Sequence, residues 1–163
     1  MTATTLTAIQ VAQAVEVLAH PGVIRLVTEI DDHGPIARHL LSRTFTDLPL
    51  PRVRAGSALA REHGLVRAGQ QAGRPAYRLT EHGSDLADVY DRLARWARAS
   101  AYPALHVDFT TRVRATLPLL AQEPLPADAQ APAQALRQWI QANRTFAAAH
   151  DAASPTASRS ASG

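Results

Sequence analysis

Residues 50–86 read LPRVRAGSALAREHGLVRAGQQAGRPAYRLTEHGSDL, and the order of elements in this stretch decides the architecture. Leu50 to His63 predicts a helix, in which Pro51 is tolerable because it falls in the first turn, where its missing N–H would have no partner anyway. Gly64 stands where a left-handed residue ends a helix. Two short runs of strand type follow, Leu65 to Ala68 and Ala76 to Leu79, with Gly69 to Pro75 between them as a polar hairpin tip. Thr80 is an N-cap for the next helix. Glu81 and Asp85 lie in or near its first turn, where the macrodipole favours negative charge.

Toward the N-terminus, Val11, Ala14, Val15 and Leu18 follow i, i+3, i+4, i+7 and predict an amphipathic helix over Ala8 to Ala19. His20-Pro21-Gly22 breaks it. Pro21 then opens a second helix with a stripe of Val23, Leu26, Val27 and Ile30, ended by Asp31 to Gly34. Pro35 is expected to open a short third helix through Ser42 that buries Ile36 and Leu40 and leaves Arg38 and Arg43 outward; Phe45 to Pro49 reads as a turn.

Toward the C-terminus, Leu86, Val89, Tyr90, Leu93, Trp96 and Ala97 give the strongest helical periodicity in the chain, to about Ser100. Phe109, Val113, Leu117 and Leu120 mark a helix near 105–121 that Pro118 bends or ends. Residues 122–133 read as a Pro/Ala linker. Leu136, Trp139, Ile140 and Phe146 mark a last helix near 134–149, and residues 151–163 are Ser/Ala-rich and expected to be disordered. The expected fold class is mainly α with a small β-hairpin, α+β. It comprises a winged helix-turn-helix domain with a dimerisation helix over 1–102, a C-terminal helical extension over 103–150 and the tail 151–163.

Composition excludes several functions. The chain has no cysteine, which rules out disulfides, thiolate metal sites, cysteine nucleophiles and thiol redox sensing. No stretch approaches the roughly 20 apolar residues of a membrane span. Residues 1–10 lack the basic start and apolar run of an export signal, so a cytoplasmic location is expected. The histidines at 20, 33, 39, 63, 82, 106 and 150 show no paired metal-ligand spacing, so no metal or cofactor is expected. Asp31 and Asp32 are adjacent on a helix and do not face each other. The sequence has no nucleophile elbow or phosphate loop, so an enzyme is not expected.

Every basic residue is an arginine, a bias that G+C-rich coding explains, so position matters more than number. Between Arg38 and Arg78 lie eight arginines, at 38, 43, 52, 54, 61, 67, 74 and 78, against two acids, Asp47 and Glu62. Glu16, Glu29, Asp31 and Asp32 precede this block; Glu81, Asp85, Asp88 and Asp91 follow it. A basic block between acidic shoulders implies one face that meets a polyanion and others that avoid it.

A major groove about 12 Å wide admits one helix, and the helix at 50–63 is the candidate. With Leu48, Val53, Ser57 and Ala60 toward the core, Arg52, Arg54, Ala55 and Ala58 face outward. Arg52 and Arg54, early in the helix, are the expected base readers, since arginine pairs bidentately with guanine. Gln70, Gln71 and Arg74 at the hairpin tip, with Arg78 on its second strand, are expected to follow a phosphate strand or the minor groove, and Arg38, His39 and Arg43 to contact phosphates.

Gly64-Leu65-Val66, then Gly73 to Leu86 with its Tyr77-x-Leu79-Thr80-x-x-Gly83 segment, then Leu93-Ala94-Arg95-Trp96-Ala97, resemble the wing and following helix of HxlR-type regulators of the MarR-like group. Leu18-Ala19-His20-Pro21 is similar to the second-helix entry of related winged-helix repressors. The resemblance spans about residues 9–100. It implies a bacterial transcription regulator, a homodimeric repressor gripping duplex DNA at two half-sites, with Leu86, Val89, Tyr90, Leu93 and Trp96 as the dimer seam. Ser57 and Ala60 depart from the leucines usual at those positions, the near-N-terminal cysteine of many such proteins is missing, and some 60 residues follow the domain. A small-molecule effector near Trp96 and Trp139 is an added possibility. The rival reading is a protein-interaction module on the same scaffold, with the arginines as plain surface.

Overall fold

The computed structural model describes residues 5–143. Phe146, His150 and the tail 151–163 lie outside the described residues. The described chain is mainly helical, with seven α-helices and one three-stranded antiparallel sheet, an α+β arrangement.

Helix α1 (Ala8–Leu18) opens on a capping box in which Thr7 and Gln10 satisfy each other's backbone N–H groups. Helix α2 (Pro21–His33) starts on His20, whose Nδ1 accepts the Gly22 N–H at 3.0 Å. It buries Val23, Ile24, Leu26, Val27 and Ile30 and ends at Gly34 with φ of 88°, a value glycine reaches without strain.

The next segment departs from the expected single helix. Ile36–Ala37 form strand β1, followed by a 3-10 turn, Arg38–Leu40, and a short helix α3, Leu41–Thr44. A two-residue strand carries no alternation of its own; only its distant partner makes it visible. Leu40, expected in the core, is 37% exposed, whereas Phe45 is buried.

Helix α4 (Leu50–Glu62) buries Val53, Gly56, Ser57 and Ala60. These small side chains permit close contact with α2: a Cβ on Gly56 would lie 2.5 Å from the Gly22 backbone, and one on Gly22 would lie 2.6 Å from the Arg52 carbonyl oxygen. Leucines at 57 and 60 would hold the helices apart. Ser57 satisfies its hydroxyl by donating to the Val53 carbonyl at 2.8 Å.

Strands β2 (Val66–Gln71) and β3 (Arg74–Leu79) pair from Val66↔Leu79 to Gln71↔Arg74, and β3 lies between β1 and β2. The strands are longer than expected and the loop shorter: only Ala72 and Gly73 turn the chain, with φ of 50° and 75°. Positive φ at both central residues suits the twist of a two-residue hairpin. Ala72 is a poor marker for such a turn, so the sequence suggested a longer loop.

The Tyr77-x-Leu79-Thr80-x-x-Gly83 segment has a physical basis. Thr80 accepts the Gly83 N–H at 3.1 Å as N-cap of α5 (Glu81–Ala99) and donates to the Gly64 and Leu65 carbonyls. A Cβ at position 83 would lie 2.0 Å from the Leu65 carbonyl oxygen, so only glycine lets α5 begin there.

Helix α6 (Phe109–Leu120) runs two residues past Pro118, and α7 (Gln130–Ala142) starts earlier than expected with Pro132 near its beginning. Both pack on α5 and touch α1. Val113, Leu117, Leu120, Leu136 and Ile140 belong to the same continuous core as Leu18, Leu86 and Leu93. The 103–143 region is therefore built into the main core. Arg112, 4% exposed, anchors α6 by donating to the carbonyls of Ala97 in the last turn of α5 (3.4 Å) and of Tyr102 (2.7 Å) and Leu105 (3.3 Å) in the segment that follows it.

This packing gives the residues of the expected dimer seam partners within the chain. Leu86, Val89, Tyr90 and Leu93 are buried within one chain, and the Tyr90 hydroxyl donates to the Leu18 carbonyl at 2.7 Å. Trp96 is half-buried beside Tyr102, with ring centroids 6.4 Å apart. None of the four buried side chains is open to a second copy.

Candidate nucleic-acid interface

Helix α4 is held from two sides. The glycine contact fixes its inner face against α2, and Arg25 of α2 grips the preceding turn through two 3.0 Å hydrogen bonds to the Asp47 carboxylate. These bonds hold the Asp47 carboxyl below the usual carboxylate range. Arg25 also lies 5.2 Å from the centre of the Phe45 ring, tying the turn to the core.

The exposed side of α4 carries Pro51, Arg52, Arg54, Ala55, Ala58, Arg61 and Glu62. At about 100° per residue, Ala55 and Ala58 lie near the middle of this face while Arg52 and Arg54 flank it on opposite sides. The two expected base readers therefore do not act from one edge. Arg54 stays on the outer face. Arg52 lines a cleft with Arg114 of α6, a direction that sequence reading did not anticipate because α6 was placed in a separate extension.

The hairpin register sorts its polar residues. Side chains alternate along a strand and paired residues share a face, so Arg67, Gln71, Arg74 and Arg78 lie together, while Gln70 sits opposite Pro75 on the other face. Arg78 lies flat across Gly69, where a Cβ would come within 2.8 Å of its stem. Arg67 and Arg78 are directly opposed across the strands. Arg67 was in the basic block but was not singled out as a contact, because its face is visible only once the two-residue turn sets the register.

Arg38 is half-buried, with its guanidinium 4.8 Å from the centre of the Tyr77 ring. His39 and Arg43 are exposed on the 3-10 turn and α3. Trp139 is buried against the first turn of α5, its Nε1 donating to the His82 carbonyl at 3.1 Å, whereas Trp96 is in the last turn. At 1.5 Å rise per residue the helix separates those positions by about 20 Å, so the two tryptophans do not line one effector pocket.

Among the described residues, no three of His, Asp and Glu gather to hold a metal ion, and no helix is long and apolar enough to cross a membrane. No protein-family model, curated protein or solved structure matches this chain.

Proposed function

We propose that this chain is a sequence-specific DNA-binding transcription regulator of winged helix-turn-helix type, acting as a homodimeric repressor in the bacterial cytoplasm. In this reading α3 and α4 form the helix-turn-helix, β2 and β3 the wing, and α4 enters the major groove. The observation that carries it is the outer face of the hairpin, where Arg67, Arg74 and Arg78 stand together and two of them are directly opposed. Like charges directly opposed across a sheet are destabilising, and a polyanion laid on that face relieves the repulsion.

Small residues at the centre of the exposed α4 face allow the backbone to approach base edges, with Arg54 beside Ala55 and Ala58 as the reader. His39 and Arg43, with Gln71 and the wing arginines, supply phosphate contacts, and Arg38 is steadied by the Tyr77 ring. A repressor gripping two half-sites about 34–36 Å apart needs a second copy. That copy docks elsewhere than on the α5 stripe, which the chain itself covers.

Binding to random and selected duplexes tests the reading. Affinity for random duplex should fall steeply with salt. Arg54→Ala should relax base preference by about 1–3 kcal/mol at one position. Arg67→Ala or Arg74→Ala should weaken all sequences alike and lower the salt slope by about one. Retention on DNA that is indifferent to salt, or equal small effects from every variant, would favour the protein-interaction module.

A further inference from the structure

Arg52 and Arg114 come from segments more than 60 residues apart in sequence, yet they line the same two clefts. One, of about 780 Å³, has His20, Glu16 and Thr111 in its walls. The other, of about 800 Å³, shares Arg52, Thr111 and Arg114 and extends past Thr28 toward Asp32 and Asp91. The arginine pair therefore stands where the two clefts adjoin, in walls that both share.

Among the described residues neither Arg52 nor Arg114 forms an ion pair or a side-chain hydrogen bond, whereas Arg25 nearby is engaged by both Glu29 and Asp47. Two of the carboxylates lining the clefts are already occupied, Asp47 by Arg25 and Asp108 by the backbone N–H and hydroxyl of Thr111 at 2.8 Å each, and Glu16 lines the smaller cleft without forming an ion pair with either arginine. Burial, then the charges of Arg52 and Arg114, lower the His20 pKa, so both guanidiniums act at the same spot.

Both arginines sit on fixed supports. Arg52 is on the turn of α4 pressed against Gly22, and Arg114 lies two residues after the buried anchor Arg112. Two planar guanidiniums without ion pairs, lining one space, carry donors that match the oxygens of a phosphate group.

We propose that Arg52 and Arg114 form a binding site for a phosphate-class oxyanion that bridges the start of α4 and the outer side of α6. The site rests on this geometry alone; only the identification of its occupant as a backbone phosphate rests on the DNA reading.

The test uses the full chain and inorganic phosphate. The His20 imidazole is followed by NMR during titration with phosphate and, at matched ionic strength, chloride, with His20→Asn identifying the resonance. Wild type is compared with Arg114→Ala and Arg114→Gln; position 114 is exposed, and the glutamine keeps most of its bulk. Random-duplex binding is measured in parallel, with Arg74→Ala as the wing reference.

A shift of His20 by phosphate, absent with chloride and lost in both variants, establishes a site for a free phosphorylated ligand. No phosphate shift, but a severalfold loss of duplex affinity and a salt slope smaller by about one in both variants, assigns the site to a backbone phosphate. A phosphate shift together with no duplex binding at all keeps the site and removes the DNA reading. If the variants change neither measurement, the proposal is overturned.

Discussion

Gly56 shows how much one missing side chain can position. Its Cα faces Gly22 so closely that an added methyl group would fall 2.5 Å from backbone atoms, which cannot swing aside. Gly56→Ala should therefore cost about 1–3 kcal/mol, measured by urea unfolding, and should weaken DNA binding beyond that loss because α4 is displaced. His20 carries a different constraint. Its Nδ1 must be unprotonated to accept the Gly22 N–H, and burial followed by the Arg52 and Arg114 charges lowers its pKa below 6.5. The unfolded chain then binds more protons than the folded one, so this contribution is intact above pH 6.5 and is lost as pH falls through 6.5 toward the lower folded value. Urea midpoints should fall between pH 7.5 and 5.5, and His20→Asn, which keeps an N-cap acceptor without titrating, should flatten that dependence. The cap position itself is legible from His20-Pro21; the charges that perturb it come from helices far along the chain.

At the scale of elements, the hairpin is the informative case. Alanine at φ of 50° in the turn is strained, because left-handed backbone costs a residue with a Cβ about 1–2 kcal/mol. Ala72→Asn, which supplies the residue favoured at that position, should raise stability by about 0.5–1 kcal/mol in denaturant unfolding while leaving the register unchanged. An unchanged midpoint would show that Ala72 carries no strain. The strand residues were recognisable from their type, but the strand length was not, since Gly69, Gln70, Gln71 and Pro75 have little strand preference and depend on cross-strand pairing. Strand β1 was hidden for the same reason. By contrast, α1, α2 and α5 were readable to within a residue or two, because the apolar spacing of each agrees with a local boundary signal: the His20-Pro21 break after α1, Pro21 and Gly34 around α2, and the Thr80 cap of α5.

At the scale of the whole molecule, the α5 stripe changes meaning. Its periodicity was legible, yet a broad apolar face carries no label for its partner, and α2, α6 and α7 cover it from within the chain. Leu93→Ala should cost about 2–5 kcal/mol of unfolding free energy at fixed protein concentration and leave the oligomeric state of the folded protein unchanged. Dissociation of an oligomer without loss of fold would restore the seam. Arg112→Met should likewise destabilise, since the Ala97 carbonyl of α5 and the Tyr102 and Leu105 carbonyls of the segment after it lose a charged donor worth about 1.5–3 kcal/mol, and the loss should appear as faster hydrogen exchange in α6.

Spacing within a few residues was enough to establish α1, α2, α4 and α5, where Thr80 and Gly64 punctuate the chain, and that Val53, Ser57 and Ala60 turn inward while Arg54, Ala55 and Ala58 do not. Those features depend on backbone geometry repeated every turn. The tertiary structure alone decided that Ile36 joins Tyr77 in a sheet, that Arg67 shares a face with Arg74 and Arg78, that α6 and α7 close the core, and that Arg52 and Arg114 line one cleft. Each of these joins residues remote in sequence, and burial across the whole chain, with no local signal, selects their partners.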